Sequence, residues 1–104
     1  MSLQALILSL LEDIPDAAAR TDIATSIFYL RDLYVNGQIK EADLRNDLAE
    51  VVSTVLSLTH PELLPEELKA KTKELVDQLV RAIKAETIRA RLMRRRGLPF
   101  RPPV

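Results

Sequence analysis

The chain has 104 residues, 47% hydrophobic and 29% charged, with fifteen Lys/Arg balancing fifteen Asp/Glu. That is one domain's worth of residues with enough apolar material for a core, so a single folded domain is expected rather than a disordered chain. No cysteine is present, so disulfides, thiolate metal sites and cysteine nucleophiles are excluded together, and two Phe and two Tyr leave the core to aliphatic side chains.

Ser2 is placed to cap a first helix whose Leu3, Leu6, Ile7, Leu10, Leu11 and Ile14 recur at helical spacing. Leu8 on the opposite side widens the apolar stripe, which predicts a centrally placed helix. Residues 3–11, LQALILSLL, have the apolar density of a signal-peptide core. However, no Lys or Arg precedes them and Glu12 and Asp13 follow. The run is also shorter than the ~18 apolar residues a membrane span needs, so no membrane span is expected.

Pro15 ends this helix or opens the next as a first-turn proline. The second helix is expected to reach about Asn36, with Ile23, Ile27, Leu30 and Tyr34 on one face. Thr21 and Asp22 offer a second start, which predicts a kink or break near Arg20. Gly37 then suits the left-handed position that closes a helix. A third helix carries Leu44, Leu48, Val51, Val55 and Leu58 as its predicted seam, and the short connection makes it an antiparallel neighbour of the second.

Thr59 with Glu62 three residues on has the pattern of a capping box, which predicts an extra helical turn before the last helix. That helix starts at Pro65, with Glu66 and Glu67 complementing its dipole, and continues to about Arg96 before Gly97 stops it. With Leu79 facing the core, Val76, Ala82, Ile83, Ala90 and Met93 share its face. Ala85, Ile88 and Leu92 form a second apolar stripe on the other side, where the chain turns basic.

Charge is segregated along the chain. Residues 1–80 hold seven Lys/Arg against fourteen Asp/Glu, a net of −7, and residues 81–104 hold eight against Glu86 alone, a net of +7. Such a split favours association with another copy of the chain or docking of the basic end on an anion. The end itself, RARLMRRRGLPFRPPV, carries Arg89, Arg91, Arg94, Arg95, Arg96 and Arg101. Three of its last six residues are proline, which predicts an extended, polyproline-like tail. Leu98 and Phe100 are large apolar residues in that tail, a composition suited to a contact rather than to solvent.

No residue pattern points to catalysis. His60 is the single histidine, and its place before Pro61 reads as a helix end, since a metal or acid–base role needs partners. The hairpin around Gly37 is no DNA reader, because its second helix, KEADLRNDLAE, bears two basic residues and four acids and repels phosphate.

The expected fold is therefore all-α: a small bundle of about four helices with a long basic C-terminal helix and an extended Pro-rich tail. Residues 1–96 form a single helical domain and residues 97–104 the tail. The expected role is non-enzymatic, without cofactor or metal: a self-associating or adaptor protein. Ala85, Ile88, Leu92, Leu98 and Phe100 are its partner-binding residues, and a second copy of the chain or another acidic protein is the partner. The alternative is a nucleic-acid-binding or packaging protein of coat or scaffold type, with the six arginines on phosphates. Either role is expected in the cytoplasm or in a particle assembled there. Two Asn, three Gln and an arginine-rich end fit a heat-loving source.

Overall fold

The structure, a computed structural model, describes residues 1–95, with side chains as far as Met93. These residues form four α-helices and no strand: α1 Leu3–Leu11, α2 Ala17–Val35, α3 Glu41–Thr59 and α4 Pro65–Arg95. The tail expected at 97–104, with Leu98, Phe100 and Arg101, and Arg96 before it, lies outside the described residues.

Local chemistry explains most of the boundaries. The Ser2 hydroxyl accepts from the Ala5 N–H at 3.1 Å and opens α1. That helix stops at Leu11, four residues short of Pro15, and the Ile14 N–H donates back to the Leu11 carbonyl at 3.0 Å to turn the chain. Pro15 thus belongs to neither helix. It precedes Asp16, whose carboxylate accepts from the Ala18 N–H at 3.0 Å and caps α2. The Arg20 guanidinium donates to the Ile14 carbonyl and ties the connection down.

The break expected near Arg20 is absent. Asp16 supplies the cap, so Thr21 and Asp22 remain inside a continuous α2.

Gly37 adopts φ +77°, the Gln38 N–H reaches the Leu33 carbonyl at 2.8 Å, and the Gly37 N–H reaches Tyr34 at 3.1 Å. This pair of bonds is the left-handed closure that satisfies the last carbonyls of α2. Asp43 then accepts from the Lys40 N–H at 3.1 Å at the start of α3. The Thr59–Glu62 capping box does not form. Thr59 is the last residue of α3 and its hydroxyl donates to the Val55 carbonyl, while Glu67 accepts from the Leu64 N–H at 2.9 Å and closes the first turn of α4. His60 terminates α3, with its N–H on the Leu56 carbonyl.

The helices alternate in direction. Asp77 lies opposite Arg45 and Lys84 opposite Glu41, so α4 runs back along α3. On the far side of α4, Leu6 neighbours Ala82 and Ala85, while Leu10 neighbours Leu75, so α1 is also antiparallel to it. The α3–α4 contact is the most extensive in the molecule, followed by α2–α3 and α1–α4.

The central helix is consequently not α1. It buries Leu3, Ile7 and Leu11 along one edge, and Leu8 is 65% exposed. A nine-residue helix touching mainly one neighbour has only one face to bury.

The α3 seam also differs from the expected one. Leu44, Leu48 and Val55 are buried as expected, but Val52 and Leu56 join them, Val51 is half-buried and Leu58 is 70% exposed. An evenly spaced seam serves one neighbour, whereas α3 packs on α2 and α4 at once and needs a broader, rotated face. The α4 side of the core is Val76, Leu79, Val80, Ala82 and Ile83.

Leu48→Ala should therefore lower the unfolding free energy by ~2–5 kcal/mol, through lost burial and the cavity left behind. Leu58→Ala should stay within about 0.5 kcal/mol, as exposed substitutions do. Equal effects in denaturant titrations would refute the burial pattern. A Cβ at Gly37 meets nothing within 4 Å. Gly37→Val should thus cost only the left-handed backbone penalty, roughly 1–2 kcal/mol, in the same titrations.

Candidate functional site

A contact surface is expected from the sequence on the last turns of α4, and the packing shows where that helix leaves the core. Ile83 is fully buried and is the last large core residue of α4. Next to it, Lys84 bridges to Glu41 in the first turn of α3, and Glu86 stands 3.6 Å from Arg31 of α2. The Thr87 hydroxyl turns back to the Ile83 carbonyl at 2.9 Å. Here α4 passes the start of α3 and nears the end of α2 at Val35. It nevertheless continues to Arg95, about 13 Å further at 1.5 Å per residue.

Beyond that point the apolar side chains are exposed rather than buried in the core. Ile88 is 56%, Leu92 51% and Met93 55% exposed, and Ala85 and Ala90 are exposed as well. Ala85, Ile88 and Leu92 do share one side of the helix, with Arg89 on one flank and Arg91 on the other. Ala90 and Met93, expected on the core face, are not in the core, because the helix has already left the bundle where they occur. They instead add apolar surface to the projecting segment. Arg89 and Arg91 are exposed and form no salt bridge among the described residues. Arg94 and Arg95 belong to the last turn of α4.

At the root of the projection is a charge relay not anticipated from the sequence. Glu41 accepts from Lys84 through one oxygen and from Arg45 Nε at 3.1 Å through the other. Arg45 reaches across to Asp77 at 2.6 Å, and Lys73 stands 3.9 Å from the same carboxylate. Only the within-helix pairs, Glu41–Arg45 and Lys73–Asp77, have a spacing visible in sequence. The cross-helix pairs depend on the α3–α4 register. The Lys84 ammonium, followed by the Arg45 guanidinium, holds Glu41 below its ordinary carboxylate value of 4.5, and Arg45 holds Asp77 below 3.8. The Glu41 carboxylate in turn raises Lys84.

Elsewhere the surface holds open grooves between helix pairs. That between α3 and α4 has a volume of about 550 Å³ and is lined by Arg45, Lys69 and Lys73 beside Glu50 and Asp77. Among the described residues no group of three or more His, Cys, Asp or Glu side chains is placed to hold a metal ion, and no helix is long and apolar enough to cross a membrane. Comparison with protein-family models, with curated proteins and with solved structures gives no match.

The depressed carboxylates set the sign of a pH effect. Their pairing stabilises the fold above the ordinary carboxylate values of 4.5 and 3.8 and is lost as pH falls through the lowered ones. The thermal midpoint should therefore drop on acidification below those values, and Glu41→Gln with Asp77→Asn should flatten that drop. Because the groups are partly solvated, ~1 M salt should flatten it too. A parent profile as flat as that of the double variant would show that the relay contributes nothing.

Proposed function

We propose that this chain is a non-enzymatic, self-associating protein whose contacts are made by the projecting end of α4 and the tail that follows it. The observation that carries this reading is the exposed stripe of Ala85, Ile88 and Leu92, with Met93 exposed on the other side of the helix, on a segment that extends past the start of α3. Such a segment leaves apolar area in water, and covering the exposed half of one Ile or Leu side chain recovers about half of the ~1.5–3 kcal/mol of a full burial. Arginine is the cation suited to rim such a stripe at an interface, since its planar fork pairs carboxylates. The acidic first eighty residues of another copy supply them. In this reading residues 97–104 are an extended tail, and Leu98 and Phe100 prolong the apolar contact. An adaptor role toward another acidic protein uses the same surface, and the assembly forms in the cytoplasm.

The test is mass in solution by light scattering across concentration. The parent should assemble, and a variant carrying Ile88→Glu and Leu92→Glu and lacking residues 97–104 should be monomeric with an unchanged helical spectrum. A monomeric parent at every concentration overturns the proposal.

A second reading is favoured by one observation: Arg89 and Arg91 form no salt bridge among the described residues and are displaced from the acidic body, a disposition suited to phosphate. Nucleic-acid affinity would then fall steeply with salt. About six phosphate contacts imply a log–log slope near −5 on a duplex, with loss of binding on replacing Arg94, Arg95 and Arg96 by alanine. Apolar residues threaded between the arginines are not required for phosphate contact, so the protein-contact reading stands first.

A further inference from the structure

If the end of α4 is a donor surface, a second copy must hold an acceptor, and the distribution of charge selects among the surfaces available. Pairing of two α4 ends is disfavoured. Residues 81–95 carry Arg81, Lys84, Arg89, Arg91, Arg94 and Arg95 against Glu86 alone, so that contact would bring like charges together. The other grooves carry both signs of charge: Arg45, Lys69 and Lys73 with Glu50 and Asp77 between α3 and α4, and Arg20 with Glu12 in the otherwise apolar groove between α1 and α2.

The groove between α2 and α3 differs from both. Its lining contains two carboxylates, Asp22 and Glu50, and no lysine or arginine, around the apolar side chains of Ile23, Val51 and Val55. Its volume is about 310 Å³. Asp47 precedes Val51 by one helical turn and is exposed, and Leu58, on the same side of α3 further along, is 70% exposed. None of Asp22, Asp47 and Glu50 forms a salt bridge among the described residues. An apolar floor with unpaired acids at its margin is the complement of an apolar stripe with unpaired arginines at its margin.

We propose that the α2–α3 groove of one copy receives the projecting end of α4 from a second copy. The inference rests on the self-association reading above and adds the acceptor. In this arrangement Ile88 and Leu92 lie toward Ile23 and Val51, while Arg89 and Arg91 face Asp47, Glu50 and Asp22. The two surfaces cannot meet within one chain. The groove is formed by the first half of α2 and the second half of α3, whereas α4 projects from the opposite end, where α2 finishes and α3 starts. The contact is therefore heterologous, running head to tail, and it closes into a ring or extends as a filament according to the rotation between copies.

Complementation between two defective copies tests this directly. The donor variant carries Ile88→Glu with Leu92→Glu, and the acceptor variant carries Asp47→Arg with Glu50→Arg, all four at exposed or half-exposed positions that leave the core intact. Ser26→Arg, exposed in the same groove, blocks it independently from α2. Each acceptor-side variant should weaken self-association about tenfold or more, as like charges replace complementary ones. Donor and acceptor variants, each monomeric alone and each with the parent's helical spectrum, should form a one-to-one complex when mixed, because one intact donor then meets one intact acceptor. If the acceptor variants assemble as the parent does while the donor variant is monomeric, the groove is refuted and self-association stands. If all are monomeric alone and the mixture stays monomeric, the head-to-tail contact is refuted. A monomeric parent refutes both readings.

Discussion

The antiparallel contact between α3 and α4 governs the rest of the molecule. Leu44, Leu48, Val52 and Val55 bury against Val76, Leu79, Val80 and Ile83, and the relay Lys84–Glu41–Arg45–Asp77 fixes the register from the outside. Burial is non-directional and tolerates sliding, whereas paired charges at defined turns do not. Half-exposed ion pairs add little net stability, so their contribution is to alignment rather than to the depth of the fold. With that register, α3 begins where α4 has reached Lys84, and beyond Glu86, which still meets Arg31 of α2, the apolar side chains of α4 are exposed.

The unequal lengths of the helices turn this register into a surface. α3 has nineteen residues and α4 thirty-one, and the surplus falls at the C-terminal end of α4. Had the surplus lain at the other end, the exposed part would have been the acidic first turn around Glu66 and Glu67. The surplus segment combines apolar side chains with arginine, and its position at the rim of an acidic body makes the molecule polar along its length. That polarity is the physical basis for the head-to-tail arrangement proposed here.

The grooves between helix pairs follow from the same economy of packing. Four helices with one wide core leave shallow seams on the outside, and each seam inherits whatever side chains flank it. Between α3 and α4 those include Arg45, Lys69 and Lys73 with Glu50 and Asp77, between α1 and α2 the apolar Leu8 and Phe28 with Arg20 and Glu12, and between α2 and α3 carboxylates without a lysine or arginine. Phe28 is further covered by the Arg31 guanidinium, 4.9 Å from its ring centre. Charge, rather than shape, is what distinguishes these seams as partners for a basic helix.

Much of the architecture was legible in the sequence because it is set locally. Ser2 as a cap, Gly37 as a left-handed closure, Pro65 with Glu66 and Glu67 as a first turn and His60 as a helix end all depend on residues a few positions apart. The all-helical class follows from periodicity of the same kind. What tertiary structure alone decided is which of several apolar faces is covered. Val51 and Leu58 fit an even seam, yet Val52 and Leu56 are buried, because α3 serves two neighbours. Leu8 is apolar yet exposed, because α1 lies on the outside of α4. Ala90 and Met93 continue the core face of α4, yet lie in solvent, because α3 and α2 no longer accompany that helix. Periodicity identifies a face that can be buried. Whether it is buried depends on the length and register of another helix, distant in sequence.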